Sequence, residues 1–242
     1  MAFSLHPANP EDARDITTIF QEAFKHDHIM SHFHPRTPKE IKDDRDLKFF
    51  HDSLVEGDKY GGRFTKVVDN STGKTVAFSR WVYPYTLTPE QKAEKEARAI
   101  DREQEEPPEG ANKELMDDFF RQLFEGRKKW IVPEETYSYA QLTQSPVLHI
   151  LAVHPSHQRL GLGSMLIRPG LEAADKAGAK TFIEASPSGL PLYLRHGWEP
   201  VDEMVIDMRP HGGHEIARQK CLMREAKAGN KEGKVDVGKL EG

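Results

Sequence analysis

Cysteine and long apolar runs are scarce in this 242-residue sequence. The single cysteine, Cys221, excludes an internal disulfide and favours a reducing compartment, so we expect a cytoplasmic location, with the nucleus as the alternative. No apolar run approaches the roughly 18 residues that span a bilayer, and the N-terminus lacks a signal-peptide pattern, so we expect no membrane partner. An excess of positive charge is also missing: the net charge is -5, and we expect no nucleic-acid partner.

Polar residues are abundant, and they are concentrated in two stretches. The sequence is 30% charged and 37% hydrophobic, with a mean hydropathy of -0.69. We predict one domain over residues 1–212, interrupted by a helical insertion at about 86–140. A polar, partly disordered tail follows over 213–242, with a surface helix near 216–228.

The insertion contains two helices of different character. The first begins at Thr88-Pro89, a helix cap followed by proline at the first helical position, and then has almost no apolar residues. The second, over about 112–125, has an apolar face of leucines and phenylalanines. The pair is interpreted either as a substrate lid or as a solvated insertion.

The rest of the chain alternates helix and strand patterns, which is typical of an α/β fold of the α+β type. Strands are predicted over Phe3–Pro7, Arg63–Val68, Thr75–Val82, Val147–Val153 and Lys180–Ala185, and in the segment up to Met208. Helices are predicted after Asn9-Pro10, over Lys39–Leu54, over Gly161–Lys176 and over Leu190–His196. Arg168-Pro169-Gly170 predicts a bend or break inside the third of these helices, because proline removes a helical N–H.

The most informative segment is the turn between the strand ending at Val153 and the helix beginning near Gly161. Glycines here let the backbone approach a ligand, and the N–H groups of a helix N-terminus attract anions. The turn therefore predicts a pyrophosphate site. The alternative is a tight turn that needs glycine for packing alone. A dinucleotide fingerprint is excluded because Leu166 stands in place of its third glycine.

Two motifs in this region resemble those of the GNAT superfamily of N-acetyltransferases. Gln158-x-x-Gly161-x-Gly163, after V-x-P, resembles the family's Q/R-x-x-G-x-G/A motif, and L-P-L-Y-L-R-H-G-W at Leu190–Trp198 resembles its L-Y-x-x-x-G-F/W motif. The resemblance implies a mixed, partly splayed sheet flanked by helices, with acetyl-CoA as cosubstrate. The residues it assigns to acetyl-CoA are Leu151, Val153, Gln158, Arg159, Leu160, Gly161, Leu162, Gly163 and Ser164.

The resemblance also implies direct attack of a primary amine on the thioester. Tyr193 stands where the family places the proton donor to the departing thiolate; its alternative role is to pack its ring beneath the cofactor. The string L-H-I-L-A-V-H is similar to a strand of arylalkylamine N-acetyltransferases, in which a histidine is linked to amine deprotonation, and this assigns His149. Val147 replaces a second such histidine, and a plain buried histidine is the alternative for His149. Glu184 is a weaker candidate for the base or a substrate anchor.

The expected function is therefore acetyl transfer from acetyl-CoA to a small primary amine. Acetylation of a protein lysine or N-terminus is one alternative, and a non-catalytic CoA-binding sensor or scaffold is another. The oligomeric state stays open.

We expect no metal, although four histidines crowd the loop from His26 to His34. The aromatic candidates for an amine pocket, each with a packing alternative, are Phe33, Trp81, Tyr83 and Tyr85.

Overall fold

A computed structural model describes residues 2–85, 88–94, 97, 106–130 and 146–227. The first half contains β1 (Phe3–Pro7), α1 (Ala13–Phe24), α2 (Lys39–Val55), β2 (Gly62–Asp69), β3 (Lys74–Val82) and α3 (Lys113–Trp130). The second half contains β4 (Val147–Val153), α4 (Leu162–Ala177), β5 (Thr181–Ala185), α5 (Leu190–Arg195), β6 (Glu199–Asp207) and β7 (Ile216–Arg224). No helix in the described part of the chain is long and apolar enough to cross a membrane.

The strands form one seven-stranded mixed sheet in the order β1-β2-β3-β4-β5-β7-β6. Every neighbouring pair is antiparallel except β4 and β5, which are parallel. Within these two strands the register contains a single pair, Val147 with Phe182, so their carboxyl ends diverge. The predicted mixed, partly splayed sheet is thus confirmed, and its opening lies between β4 and β5.

Helices cover both faces of the sheet. On one face, α4 and α5 pack through Leu166, Ile167 and Tyr193 on inward residues of the central strands. On the other face, α1 and α2 cover β2–β4, while α3 covers β5–β7. Alternation along β5 separates the two layers, since Phe182 packs beneath α3 and Ile183 packs beneath α4 and α5.

Helix α3 belongs to the core, although it arises from the predicted insertion. Leu115 and Phe119 are buried against Met204, Ile206 and other apolar side chains of the sheet. The first predicted helix of the insertion is helical over residues 89–94, and most of its remainder lies outside the described residues, as does 131–140.

The C-terminal segment corrects a prediction. Ile216–Arg224 is not a surface helix but the strand β7, which pairs with both β5 and β6. Its alternate residues Ala217 and Cys221 are buried, so the sheet continues beyond residue 212, where we predicted the domain to end. The charged residues between them had hidden this alternation. The predicted disorder of 229–242 concerns residues outside those described.

Helix α4 continues through Pro169 without a break, so the structure excludes the break but not the bend of the prediction. A Cβ atom on Gly170 would lie 2.2 Å from Cε2 of Trp81, so the indole packs directly on the helix backbone there. Trp81 Nε1 also donates a hydrogen bond to the carbonyl of Leu166, at 3.3 Å. Gly170 therefore leaves the space that the Trp81 ring occupies.

Candidate functional site

The site is built around the opening between β4 and β5. In the register of β3 with β4, Arg80 pairs with Ile150 and Trp81 pairs with Leu148, so His149 is an extra residue in β4. Such a β-bulge bends its strand and redirects a side chain. The bulge lies two residues after Val147, where pairing with β5 stops. It therefore accompanies the divergence of the two strands.

The turn before α4 presents a row of unpaired backbone amides. Arg159 and Gly161 both have positive φ angles, 65° and 82°. Among the described contacts, no backbone N–H from Arg159 to Ser164 donates a hydrogen bond, and the first donor after them is Met165, to the Gly161 carbonyl. Successive free N–H groups at a helix N-terminus form an anion-binding concavity. The turn thus fits the pyrophosphate of a CoA thioester.

The two glycines of the turn have different physical roles. A Cβ atom on Gly161 would meet nothing within 4 Å, so its requirement is the left-handed backbone. A Cβ atom on Gly163 would lie 2.7 Å from Cδ2 of Leu192 in α5. Close packing on Leu192 therefore explains why position 163 is a glycine, and the left-handed backbone explains why position 161 is one.

Other predicted acetyl-CoA residues lie around this turn. Gln158 Nε2 donates to the carbonyl of Val153 at 3.2 Å and so ties the turn to the end of β4. Ser164 Oγ lies 2.9 Å from Nε2 of His196 in the loop after α5. Leu162 is buried in the core, Leu160 is exposed, and Leu151 and Val153 lie on the diverging part of β4.

Tyr193 enters the site from α5, on the same side of the sheet as the turn. Its side chain is 6% exposed and its ring lies edge-on to Trp198, with centroids 5.8 Å apart. Burial raises the pKa of the Tyr193 phenol above its ordinary value. The hydroxyl therefore stays protonated through neutral pH and is available as a donor.

His149 is held in its neutral form. Desolvation lowers its pKa well below the usual value, and the positive charges of Arg127 and Arg80 lower it further. A neutral imidazole has one nitrogen that accepts a proton, as a base requires.

Glu184 is not a free carboxylate. Arg127 of α3 binds it with both arms, from Nε to Oε1 at 2.6 Å and from Nη2 to Oε2 at 2.8 Å. Sequence reasoning missed Arg127 altogether. The available signal was Glu184 itself, because a carboxylate on a buried strand requires a cationic partner.

The remaining candidates are mostly structural. Phe33 and Trp81 are buried in the core, and Tyr83 faces the guanidinium of Arg63. In the histidine-rich loop, His28 contacts Glu215 in the β6–β7 connection, and Asp27 accepts hydrogen bonds from the amides of Ile29 and Met30. Among the residues that the structure describes, no three His, Cys, Asp or Glu side chains form a candidate metal site.

The chain resembles known proteins in sequence and in fold. Residues 93–208 match the model described as "Acetyltransferase (GNAT) domain". A histone acetyltransferase HPA2-related protein from Corynebacterium glutamicum matches with a TM-score of 0.58 and 15% identity, covering 95% of this chain and 99% of that one.

Two further structures show the same fold. A mosquito arylalkylamine N-acetyltransferase-like protein 5b has a TM-score of 0.57 and 13% identity, over 92% of this chain and 99% of its own. The yncA protein of Salmonella typhimurium, solved with acetyl-CoA, has a TM-score of 0.50 and 14% identity, over 95% and 97%. The family match thus shows a GNAT acetyltransferase domain, the domain of acetyl-CoA-dependent N-acetyltransferases, over residues 93–208, and the solved structures share the fold of this chain.

Proposed function

We propose that this enzyme transfers the acetyl group of acetyl-CoA to the primary amine of a small molecule, by direct attack. Tyr193 acts as the general acid and His149 as the general base. The observation that carries the proposal is the arrangement of the opening between β4 and β5. The turn with free amides and Tyr193 lie on one side of the sheet, and the charges that act on His149 come from the other.

The chain's residues have complementary roles in the proton transfers. As the amine nitrogen bonds to the thioester carbon, its proton passes to the neutral imidazole of His149. As the carbon–sulfur bond breaks, the sulfur takes a proton from the Tyr193 hydroxyl. Acid–base assistance of this kind contributes about 10²–10⁴-fold to a rate. Neutral His149 and protonated Tyr193 are the forms that these roles require.

An open cleft on the α3 side is the candidate place for a small acceptor. It lies between the α1–α2 loop, the turn after β5 and the start of β7. Apolar Ile29, Pro187 and Ala217 line it together with Asp27, His28, Glu215 and Arg218. Small-molecule sites are concave and mostly apolar with a few polar groups. The string L-H-I-L-A-V-H around His149 adds the similarity to arylalkylamine N-acetyltransferases.

The test is a calorimetric titration with acetyl-CoA, followed by measurement of free-thiol release with a panel of amines. The panel includes arylalkylamines, aliphatic amines and a lysine-containing peptide. We expect saturable binding and thiol release with small amines. Turnover with the peptide alone would replace the small-amine acceptor with a protein, whereas binding without any turnover would favour a CoA sensor. No binding would contradict the assignment of the turn.

A further inference from the structure

Helix α3 brings a buried cation to the acceptor side of the opening. Arg127 and Glu184 form a planar, two-armed ion pair, and their side chains are only 12% and 6% exposed. Burying two charges is costly, and the cost is offset only when the two groups are well aligned, as they are here. Removing one partner would leave an uncompensated charge in the interior.

The pair lies near His149, because the charge of Arg127 acts on the His149 pKa. Val147 pairs with Phe182, and His149 and Glu184 each follow two residues later, on strands that diverge from that pair. Glu184 points to the α3 face, as Phe182 does, since both carry the same alternation along β5. The charged groups acting on His149 are Arg127 from α3 and Arg80 from β3, and both lower its pKa.

We propose that Arg127 is a positioning residue for acetyl transfer: it holds both oxygens of Glu184, so that His149 rather than Glu184 receives the proton of the amine. The inference rests on the proposed function, and it gives the inserted helix a part in the chemistry. Guanidinium is suited to the role because its planar fork engages two carboxylate oxygens at once, which the point charge of lysine does not do.

The first experiment compares Glu184→Gln with His149→Gln. Glutamine at 184 keeps the shape and an oxygen acceptor for Arg127 but is no base. Glu184→Gln, checked for folding by circular dichroism, should keep a kcat at pH 8 at least about tenfold higher than His149→Gln, which we expect to lose about 100-fold, within the usual range for a general base. The reverse pattern would overturn the inference. Arg121→Met, which removes an exposed arginine of the same helix, is the matched control and should leave kcat unchanged.

The second experiment measures kcat against pH for Arg127→Met and Arg127→Lys, at saturating acetyl-CoA and amine. Protonated His149 accepts no proton, so kcat falls as the pH falls through the pKa of His149. Loss of Arg127 removes one of the two positive charges that lower that pKa, so the pKa rises. The acidic limb of the pH profile should therefore move up by about one pH unit in Arg127→Met. At a pH below the pKa of His149 in both proteins, kcat of the variant is then about tenfold lower than that of the wild type. In Arg127→Lys the limb should lie closer to that of the wild type. A limb unchanged from the wild type would contradict the inference.

A third readout needs no turnover. NMR titration of labelled histidines reports the pKa of His149 in the wild type and in Arg127→Met. We expect this pKa to be higher in Arg127→Met, because one positive charge is lost, with acetyl-CoA affinity unchanged by calorimetry. In Arg127→Lys, which keeps a positive charge and tests the account if Arg127→Met does not fold, the pKa of His149 should stay close to that of the wild type. An unchanged pKa in Arg127→Met, or a large rise in Arg127→Lys, would count against the inference. Absent turnover in the wild type would count against the proposed function instead, so the two failures are distinguishable.

Discussion

Tyr193 is the side chain whose environment best matches its proposed role. It lies in the core layer beneath α4, beside Trp198. Burial raises the pKa of its phenol, so ionisation does not remove the donor at any pH near neutrality.

Replacing Tyr193 with phenylalanine should therefore separate catalysis from binding. The ring and its contact with Trp198 remain, while the donor is lost. We expect kcat to fall by about 10²-fold or more, with less than threefold change in the Kd of acetyl-CoA measured by calorimetry. A large loss of affinity with unchanged turnover would instead favour the role of packing beneath the cofactor.

Gly161 offers a residue-scale test of the anion-binding turn, with a matched control in the same helix. Gly161 and Gly178 flank α4, both with positive φ, and a Cβ atom on either would meet nothing within 4 Å. Alanine at either position should cost about 1–2 kcal/mol of unfolding free energy, because it disfavours the left-handed backbone. Only Gly161→Ala should weaken acetyl-CoA binding, by about tenfold, since it alone redirects the amides of the turn. Equal affinities in the two variants would contradict the site.

At the scale of elements, α4 is fixed to the sheet at the point where the sequence predicted a bend or break. Trp81 of β3 occupies the space that a side chain at position 170 would need, and its indole N–H donates to the Leu166 carbonyl. The sequence showed a glycine inside this helix but not its cause. That cause is a residue nearly 90 positions earlier in the chain.

Gly170→Ala tests this account, with Gly126→Ala as control. Both replacements raise helix propensity, by roughly 0.5–1 kcal/mol. At 126 the new Cβ would meet only Sγ of Cys221, at 3.9 Å, so we expect no loss of stability. At 170 it would overlap the Trp81 ring, so we expect a net loss of about 1–3 kcal/mol in chemical unfolding. Equal stability of the two variants would show that Trp81 moves aside freely.

At the scale of the whole molecule, β7 holds together the strands and helices of the second half of the chain. It lies between β5 and β6, and its last residue, Arg224, is buried and binds Asp175 of α4 with both arms, at 2.7 and 2.8 Å. This pairing lowers the pKa of Asp175. Arg224 also donates to the carbonyl of His196 after α5. One strand thus joins β5, β6, α4 and α5.

Truncation should reveal that dependence. A chain ending at residue 212 loses β7, exposes the paired edges of β5 and β6, and leaves Asp175 without Arg224; we expect it to be insoluble or unfolded by circular dichroism. A chain ending at Lys227 keeps every described strand and should unfold cooperatively, as the full chain does. A folded, acetyl-CoA-binding 1–212 fragment would support the predicted domain end instead.

The sequence predicted those parts of the fold that depend on local patterns. Apolar alternation and helical spacing gave the β2–β3 hairpin, the strand–turn–helix around Gly161 and the short helix at Leu190. It failed at β7, because Arg218, Lys220 and Arg224 mask the alternation, and their neutralising partners Glu203 and Asp175 lie on other elements.

By itself, the sequence determined the turn and its glycines, because backbone conformation and the N–H groups of a helix N-terminus are local properties. Two motifs at fixed spacing also sufficed to indicate the family. Only the tertiary structure decided which acidic and basic groups meet. The pairing of Arg127 with Glu184 depends on the packing of α3 on β5–β7, and the neutral state of His149 depends on its burial and on the charges of Arg127 and Arg80; no spacing along the chain encodes these contacts.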